Sequence, residues 1–310
     1  MPEKRVILIA GPTASGKSTA ALAIAEKIGG EIVNADALQV YRDLRILSAR
    51  PSPAEEARAP HHLYGSIDGA VRYSAGEWSR AAARVIPEIH ARGRAAIIVG
   101  GTGLYFRALE GGLCAAPAIP QAIRAAAAAR LEAIGTDAFR AEVLSFDPAM
   151  AGLDPDDRQR HVRAWEVYHA AGAPLSEIRK RLGAALIDDA SARIVIEPPR
   201  EALYAAIERR YDAMISRGAL DEARALAARG LDPGLPVMKA VGAAELFSHL
   251  AGEISHDEAI RLAKRNSRRL AKRQLTWFRG QTPDWPRAGS AEAALDHVLS
   301  ALVASNGPGG

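Results

Sequence analysis

The sequence predicts an α/β fold: a P-loop parallel sheet flanked by helices, with an inserted all-helical domain. Three observations carry this. The apolar run Val6 to Ala10 passes without a gap into GPTASGKS (Gly11 to Ser18) and then into a helical pattern, the strand, loop, helix order of a phosphate-binding loop. Short apolar runs at Glu31 to Asn34 and Ala95 to Val99 are separated by helical stretches, as expected of parallel strands joined by crossover helices. From about Pro117 to Leu186 the strand signals give way to alanine-rich helical sequence, and Ala192 to Glu197 then returns to strand.

Taken in order, Val6 to Ala10 lacks polar alternation and reads as a strand covered on both faces. The helix after the loop closes at Gly29-Gly30, in the position that favours a left-handed cap. An amphipathic helix is expected around Trp78 to Ala91. Within the insertion, Gln121 to Ile134, Asp156 to Ala170 and Ser176 to Leu182 read as helices. Pro198-Pro199 marks the return to the first domain, helices dominate afterwards, and SNGPGG (Ser305 to Gly310) is expected to be a disordered tail. The expected division is residues 1–116 with 187–304 as the catalytic core, 117–186 as the insertion and 305–310 as the tail. Folds of this class bind ligands at the carboxyl ends of their strands. Three segments fall there: the glycine loop, Ala35 to Gln39, and Gly100 to Gly103.

The chain has 310 residues, 48% hydrophobic, 25% charged and 5% aromatic, a globular composition with room for two domains. Low-complexity, collagenous and disulfide-scaffold classes are excluded, the last because Cys114 is the one cysteine. No apolar stretch has the length of a membrane span or signal segment. A cytoplasmic monomer that makes no use of a membrane is expected. Eight of the 40 bases lie between Arg261 and Arg279 with no acid among them, leaving 32 bases against 36 acids elsewhere. At about 100° per residue, Arg261, Lys264, Arg265, Arg268, Arg269, Lys272 and Arg273 share roughly half of a helix circumference. Ile260, Ala263, Leu270, Trp277 and Phe278 take the other side. A polyanion-binding face and a solvated basic helix both fit that pattern.

The loop GPTASGKS matches G-x-x-x-x-G-K-[ST] at every fixed position. Its backbone N–H groups converge on phosphate oxygens, Lys17 neutralises a terminal phosphate, and the Ser18 hydroxyl is the candidate Mg²⁺ ligand. Gly11, Pro12, Thr13, Ala14, Ser15, Gly16, Lys17, Ser18 and Thr19 are therefore the candidate phosphate site, which takes at least a diphosphate. A nucleotide hydrolase places a carboxylate after a later buried strand, yet Ala95 to Val99 runs into Gly100-Gly101-Thr102-Gly103 without an acid. The nearest acid across the strand ends is Asp36, which is open to three roles: magnesium partner, general base, or helix cap. His61-His62 lack a third ligand at metal spacing, which favours a hydrogen-bonding role over a metal site. Cys114 reads as an inert buried thiol. Tyr41, Tyr73, Trp78 and Tyr105 fit either the core or base stacking, and Trp165 and Trp277 fit helix packing.

Over nearly its whole length the chain resembles the bacterial tRNA dimethylallyltransferases, also called tRNA isopentenyltransferases. The likeness rests on GPTASGKST (Gly11 to Thr19), NADALQVYRDL (Asn34 to Leu44), PHHL (Pro60 to Leu63), YSAGEW (Tyr73 to Trp78), VGGTGLY (Val99 to Tyr105), DRQRHVRAWEV (Asp157 to Val167) and RRLAKRQLTWFR (Arg268 to Arg279), in that order. The resemblance implies transfer of a dimethylallyl group from its diphosphate to the exocyclic amine of the adenosine 3′ of the anticodon. The phosphates in the loop are then an isoprenoid's leaving group, and no hydrolytic water needs a carboxylate. It further implies Asp36 as the general base, Thr102 beside the reacting groups, and Ala37, Leu38 and Gln39 around the adenine. Contacts to the tRNA anticodon stem-loop are implied at Arg124, at Gln159, Arg160, His161, Val162 and Arg163, and at Arg268, Arg269, Lys272 and Arg273. Two departures stand out: Ala37 replaces a serine of the pattern, and Gly242-Ala243 replaces a glycine-tyrosine pair. By the same resemblance, the C-terminal zinc finger of eukaryotic relatives is not expected. A small-molecule kinase and an RNA-binding ATPase are the alternative readings, and ATP as an occupant of the P-loop stays open.

Overall fold

The computed structural model describes residues 5–113, 118–181 and 183–304. The expectations for Cys114 and for the tail Ser305 to Gly310 lie outside the described residues. Six strands, β1 (Val6–Ala10), β2 (Glu31–Asn34), β3 (His61–His62), β4 (Ala96–Gly100), β5 (Ala192–Ile196) and β6 (Arg287–Ala288), form one sheet in the order β3-β2-β4-β1-β5-β6. Every pairing is parallel. The helices are α1 (Lys17–Ile28), α2 (Pro53–Glu56), α3 (Ala75–Ala91), α4 (Gly103–Gly111), α5 (Gln121–Phe146), α6 (Arg158–Ala171), α7 (Leu175–Arg179), α8 (Arg200–Ser216), α9 (Ala219–Ala227), α10 (Ala243–Leu250), α11 (His256–Gln281) and α12 (Ala291–Ala304).

The chain divides into two compact units, Met1–Glu110 with Leu186–Gly310, and Gly111–Ala185. In the first, Ile7, Ile9, Ile97, Val99, Ile194 and Ile196 face α1 and α12, meeting Ala20, Ala21, Ile24, Ala294 and Val298. The alternate residues Leu8, Ile98 and Val195 are equally buried on the opposite face. Burial on both faces is why these strands read as unbroken apolar runs. The α3 helix starts with a capping box in which the Ser74 hydroxyl accepts from the Glu77 N–H and Glu77 reaches back to the Ser74 N–H.

The strands β3 and β6 have two residues each, too few for any alternation to show, and the sequence reading does not include them. In β3 both histidines have hydrogen-bond partners. The His62 Nε2 lies 2.7 Å from the buried Glu31 carboxylate, which Arg92 also binds, and His61 Nδ1 lies 2.8 Å from the Ala59 carbonyl. No cluster of three or more His, Cys, Asp or Glu residues could hold a metal among the described residues. No helix among them is long and apolar enough to cross a membrane.

The second unit packs α5, α6 and α7 around Phe139, Val143, Met150, Ala164, Trp165 and Leu175. The expected helix Gln121 to Ile134 ends where expected: Gly135, with a left-handed φ of +75°, is not helical, and a second helical stretch of α5 follows it to Phe146. Only glycine adopts such an angle without steric cost. The helix expected over Ser176 to Leu182 is shorter, Leu175–Arg179, and Leu182 lies outside the described residues. Trp165 packs as expected: it stacks on His169 at 3.6 Å and donates Nε1–H to Glu142 at 2.8 Å.

Candidate functional site

The strand order makes β2, β4 and β1 neighbours. The loops after them, carrying Asp36, Gly101-Thr102 and Gly11 to Ser18, therefore emerge side by side at the carboxyl end of the sheet.

The glycine loop turns into α1 at Gly16, whose φ is +89°. Lys17 is buried, and its Nζ donates to the Pro12 carbonyl at 3.0 Å, folding the side chain back over the loop. Burial pulls the Lys17 ammonium down to about 8; the charge of Asp36 opposes that shift and the charge of Arg210 adds to it. Ser15 is buried, with its hydroxyl unpartnered among the described residues. Ser18 and Thr19 are exposed in the first turn of α1. Ala14, at φ +63°, packs against the patch formed by Leu203, Ile207 and Ala271 of α8 and α11.

The buried Asn34 at the end of β2 builds the Asp36 turn. Its side-chain oxygen accepts from the Asp36 N–H at 2.8 Å, and its amide donates to the Asp36 and Leu63 carbonyls at 3.0 and 3.1 Å. Asp36 Oδ1 in turn accepts from the Leu38 N–H at 3.0 Å. One carboxylate oxygen thus fixes the loop and the second is not used for it. Thr102 ties this turn to the loop after β4. Its Oγ1 accepts from the Ala37 N–H at 2.9 Å, and its own N–H donates to the Ala35 carbonyl at 3.1 Å. Gln39 spends both amide hydrogens on the Ser48 and Ala49 carbonyls, each at 2.9 Å, and so braces the loop.

The glycines after β4 have a mechanical cause. A Cβ on Gly100 would lie 2.0 Å from the Ala35 carbonyl oxygen, one on Gly101 would lie 2.3 Å from the Gln274 amide, and one on Gly103 would lie 2.2 Å from the Trp277 ring. The inner face of α11 rests on this loop.

Sequence reasoning missed Arg210. It lies on α8 among the buried residues Leu203, Ile207, Tyr211 and Met214. Burial lowers its pKa from the ordinary arginine value and Asp36 opposes that shift. A charge set into an apolar helical stripe was the available signal. Asp36, Lys17 and Arg210 thus form one electrostatic group. Asp36 also reaches two phenols: burial pushes the Tyr64 and Tyr105 hydroxyls up, and the Asp36 charge adds to it. Trp78 is fully buried, stacks on Tyr105 at 4.2 Å, and donates to the Asn34 carbonyl at 2.7 Å. Trp78, Tyr105 and the buried Tyr41 are core residues and do not offer a face to a base.

The basic segment on α11 is less free than its sequence. Arg261 pairs with Glu258, Lys264 with Asp212, Arg268 with Glu208 and Arg279 with Glu197. Arg268 is half-buried, and its guanidinium also lies 5.9 Å from the Tyr204 ring. Arg269, Lys272 and Arg273 are exposed and carry no ion pair among the described residues. Arg269 and Arg273 line a cavity of about 350 Å³ with Lys239, Asn266, Met238 and Val241.

In the second unit, Gln159 and Arg160 are exposed on α6, Arg160 pairing with Asp157 at 3.1 Å, and Arg163 is half-buried beside Glu166. His161 is 2% exposed, and Val162 packs on the core of that unit. Those two side chains turn toward the interior of that unit, because a helical run of five must turn part of itself inward. Arg124 is half-buried, with Nε donating to the Ile119 carbonyl at 3.3 Å.

The chain matches the family model described as IPP transferase over residues 39–281. It is 55% identical to the tRNA dimethylallyltransferase of Phenylobacterium zucineum (strain HLK1) over 286 residues, 92% of each chain. It is 50% identical to that of Maricaulis maris (strain MCS10) over 299 residues, 96% of this chain and 97% of the relative. Among solved structures, the tRNA isopentenylpyrophosphate transferase of Bacillus halodurans superposes with a TM-score of 0.67 at 30% identity, covering 98% of both chains. A eukaryotic dimethylallyltransferase, described as acting on tRNA, superposes with a TM-score of 0.80 at 26% identity, covering 99% of this chain and 81% of its own.

Proposed function

The chain belongs to the IPP transferase family, and from that premise we propose that it transfers a dimethylallyl group from dimethylallyl diphosphate to the exocyclic amine of the adenosine 3′-adjacent to the anticodon in tRNA. Diphosphate is released. The observation that carries this reading is the electrostatic grouping of Lys17, after β1, and Asp36, after β2, with Arg210 of α8. Two cations meet the leaving group and one carboxylate meets the nucleophile.

The adenine amine is a weak nucleophile because its lone pair is delocalised into the ring. As the N–C bond forms, the carbon–oxygen bond to diphosphate breaks, its electron pair leaves with the oxygen, and the surplus amine proton passes to the Asp36 carboxylate. Lys17, Arg210 and the loop N–H groups stabilise the charge gathering on the leaving oxygen. The Ser18 hydroxyl, exposed in the first turn of α1, suits Mg²⁺, which takes few protein ligands beside substrate phosphates. When bound, that ion supplies further neutralisation of the diphosphate. The adenosine leaves its stack at a cost of a few kcal/mol. Contacts to Ala37, Leu38 and Gln39, and backbone contacts from Arg124, Gln159, Arg160, Arg163, Arg269, Lys272 and Arg273, offset it. The work takes place in the cytoplasm, where tRNA is.

The deciding experiment incubates unmodified tRNA, dimethylallyl diphosphate and Mg²⁺ with the protein and weighs the digested nucleosides. The expected result is adenosine heavier by one prenyl unit. Unchanged adenosine with consumption of ATP by folded protein would transfer the loop to a kinase or ATPase.

The ion pairs on α11 lead to a prediction about salt. Lys272→Ala and Arg273→Ala should each lower the slope of log affinity against log salt by about 0.7 to 0.9, the value of one phosphate contact. Arg268→Ala should change it less, since Glu208 already holds that guanidinium at 2.8 Å. Filter binding to tRNA across a salt series measures all three.

A further inference from the structure

Two backbone groups in the site's loops belong to no helix or strand ladder: the Thr13 N–H in the phosphate loop and the Gly101 carbonyl in the loop after β4. Such groups need partners when covered. One side chain serves both. Gln274 Oε1 accepts from the Thr13 N–H at 2.9 Å, and Gln274 Nε2 donates to the Gly101 carbonyl at 3.0 Å. A carboxamide is the neutral end group that offers an acceptor and a donor side by side, and the two partners leave no choice in which way it points.

The path continues beyond Gly101. Thr102 accepts from the Ala37 N–H and donates to the Ala35 carbonyl, and Asp36 lies between those two residues. A hydrogen-bonded chain therefore runs from the phosphate loop through Gln274 and Thr102 to the turn that carries the carboxylate. The missing Cβ of Gly101 makes the approach possible, because that atom would overlap the amide nitrogen.

We propose that Gln274 is a positioning residue: its amide sets the separation between the loop that grips the leaving diphosphate and the loop that presents Asp36 to the adenine amine. This rests on the prenyl-transfer reading above. Gln274 does not touch the reacting atoms. Removing the brace leaves both half-sites intact and loosens their spacing, and a misplacement of about 1 Å is enough to slow a reaction on the order of 10²-fold.

The test uses the full chain with two variants. Gln274→Met keeps the length and loses both bonds. Gln274→Glu keeps the acceptor for Thr13 and, when ionised, loses the donor to Gly101. Single-turnover prenylation, with both substrates saturating, should fall by about 10- to 100-fold in each at pH 8. Dissociation constants for dimethylallyl diphosphate and for tRNA should stay within about threefold, because neither half-site is altered. The ratio of the Gln274→Glu rate to the wild-type rate should rise as pH falls through about 4.3, the ordinary glutamate value, where a protonated carboxyl regains a donor, while the Gln274→Met ratio stays flat.

Wild-type rates in both variants would overturn the proposal. So would a loss explained by weaker tRNA binding, which would make Gln274 an RNA contact. If Gln274→Met fails to fold, the Gln274→Glu pH profile decides alone, and a flat profile counts against the brace. An inactive wild-type protein in the same assay would instead overturn the prenyl-transfer reading.

Discussion

Asp36→Asn is expected to slow the chemical step by about 10²- to 10⁴-fold, the usual worth of a positioned general base, while tRNA affinity stays within a few-fold. The sequence leaves Asp36 open to a helix-capping role, but no helix starts there; Oδ1 instead holds a turn by accepting from the Leu38 N–H. The two roles separate by substitution. An asparagine oxygen still accepts that hydrogen bond but cannot take the amine proton. Asp36→Ala loses both the turn and the base. If Asp36 acts only to hold the turn, Asp36→Asn retains near-wild-type single-turnover rates and Asp36→Ala alone is impaired. If it is the base, both variants lose the rate, and Asp36→Ala additionally loses thermal stability by about 1 kcal/mol, the worth of one such bond. Single-turnover prenylation, tRNA titration and thermal melts of the two variants give the answer.

Much of this site is readable in the sequence because its parts are local. The glycine loop, the strand before it and the helix after it are contiguous, so Gly11 to Thr19 need no tertiary information. Asp36 falls after β2 for the same reason. What escapes is whatever depends on two elements far apart in the chain. Arg210 enters the site because α8 lies against the phosphate loop at Ala14, and Gln274 reaches Thr13 across 261 residues. The acid-free stretch from Arg261 to Arg279 appears as uninterrupted positive charge, yet Asp212 and Glu208 on α8 and Glu197 just before it neutralise three of its members. Pattern along one helix cannot report the charges of its neighbour. Gly101 and Gly103 have the appearance of a second ligand loop; their lack of side chains is occupied by Gln274 and Trp277. His161 and Val162 belong to an RNA-contacting pattern by resemblance; helical periodicity buries His161 and packs Val162 against the core of their own unit.

Lys17→Met should abolish useful turnover and at the same time stabilise the fold. The loss of rate follows from the leaving group: removing one preorganised charge-stabilising group costs about 10²- to 10³-fold or more. The gain in stability follows from burial. The Lys17 ammonium, ordinarily near 10.5, is pulled down to about 8 in the folded protein, so the unfolded chain holds that proton more tightly. Below about pH 8 both states are protonated and the fold bears the full penalty, a few kcal/mol at 1.36 kcal/mol per unit. Between about pH 8 and 10.5 the unfolded state carries the extra proton, so wild-type stability rises with pH across that window. The melting temperature of Lys17→Met should therefore exceed that of the wild type by several degrees at pH 7, and the difference should shrink toward pH 10. Ligand binding has the opposite dependence. Affinity for inorganic diphosphate should weaken in the wild type as pH rises through about 8, where the free protein's ammonium is lost, and this component should be missing from Lys17→Met. Melts and calorimetric titrations of the two proteins over the same pH series test both halves. Equal melting temperatures at pH 7 with parallel binding curves would mean that Lys17 carries no buried charge for the diphosphate to meet.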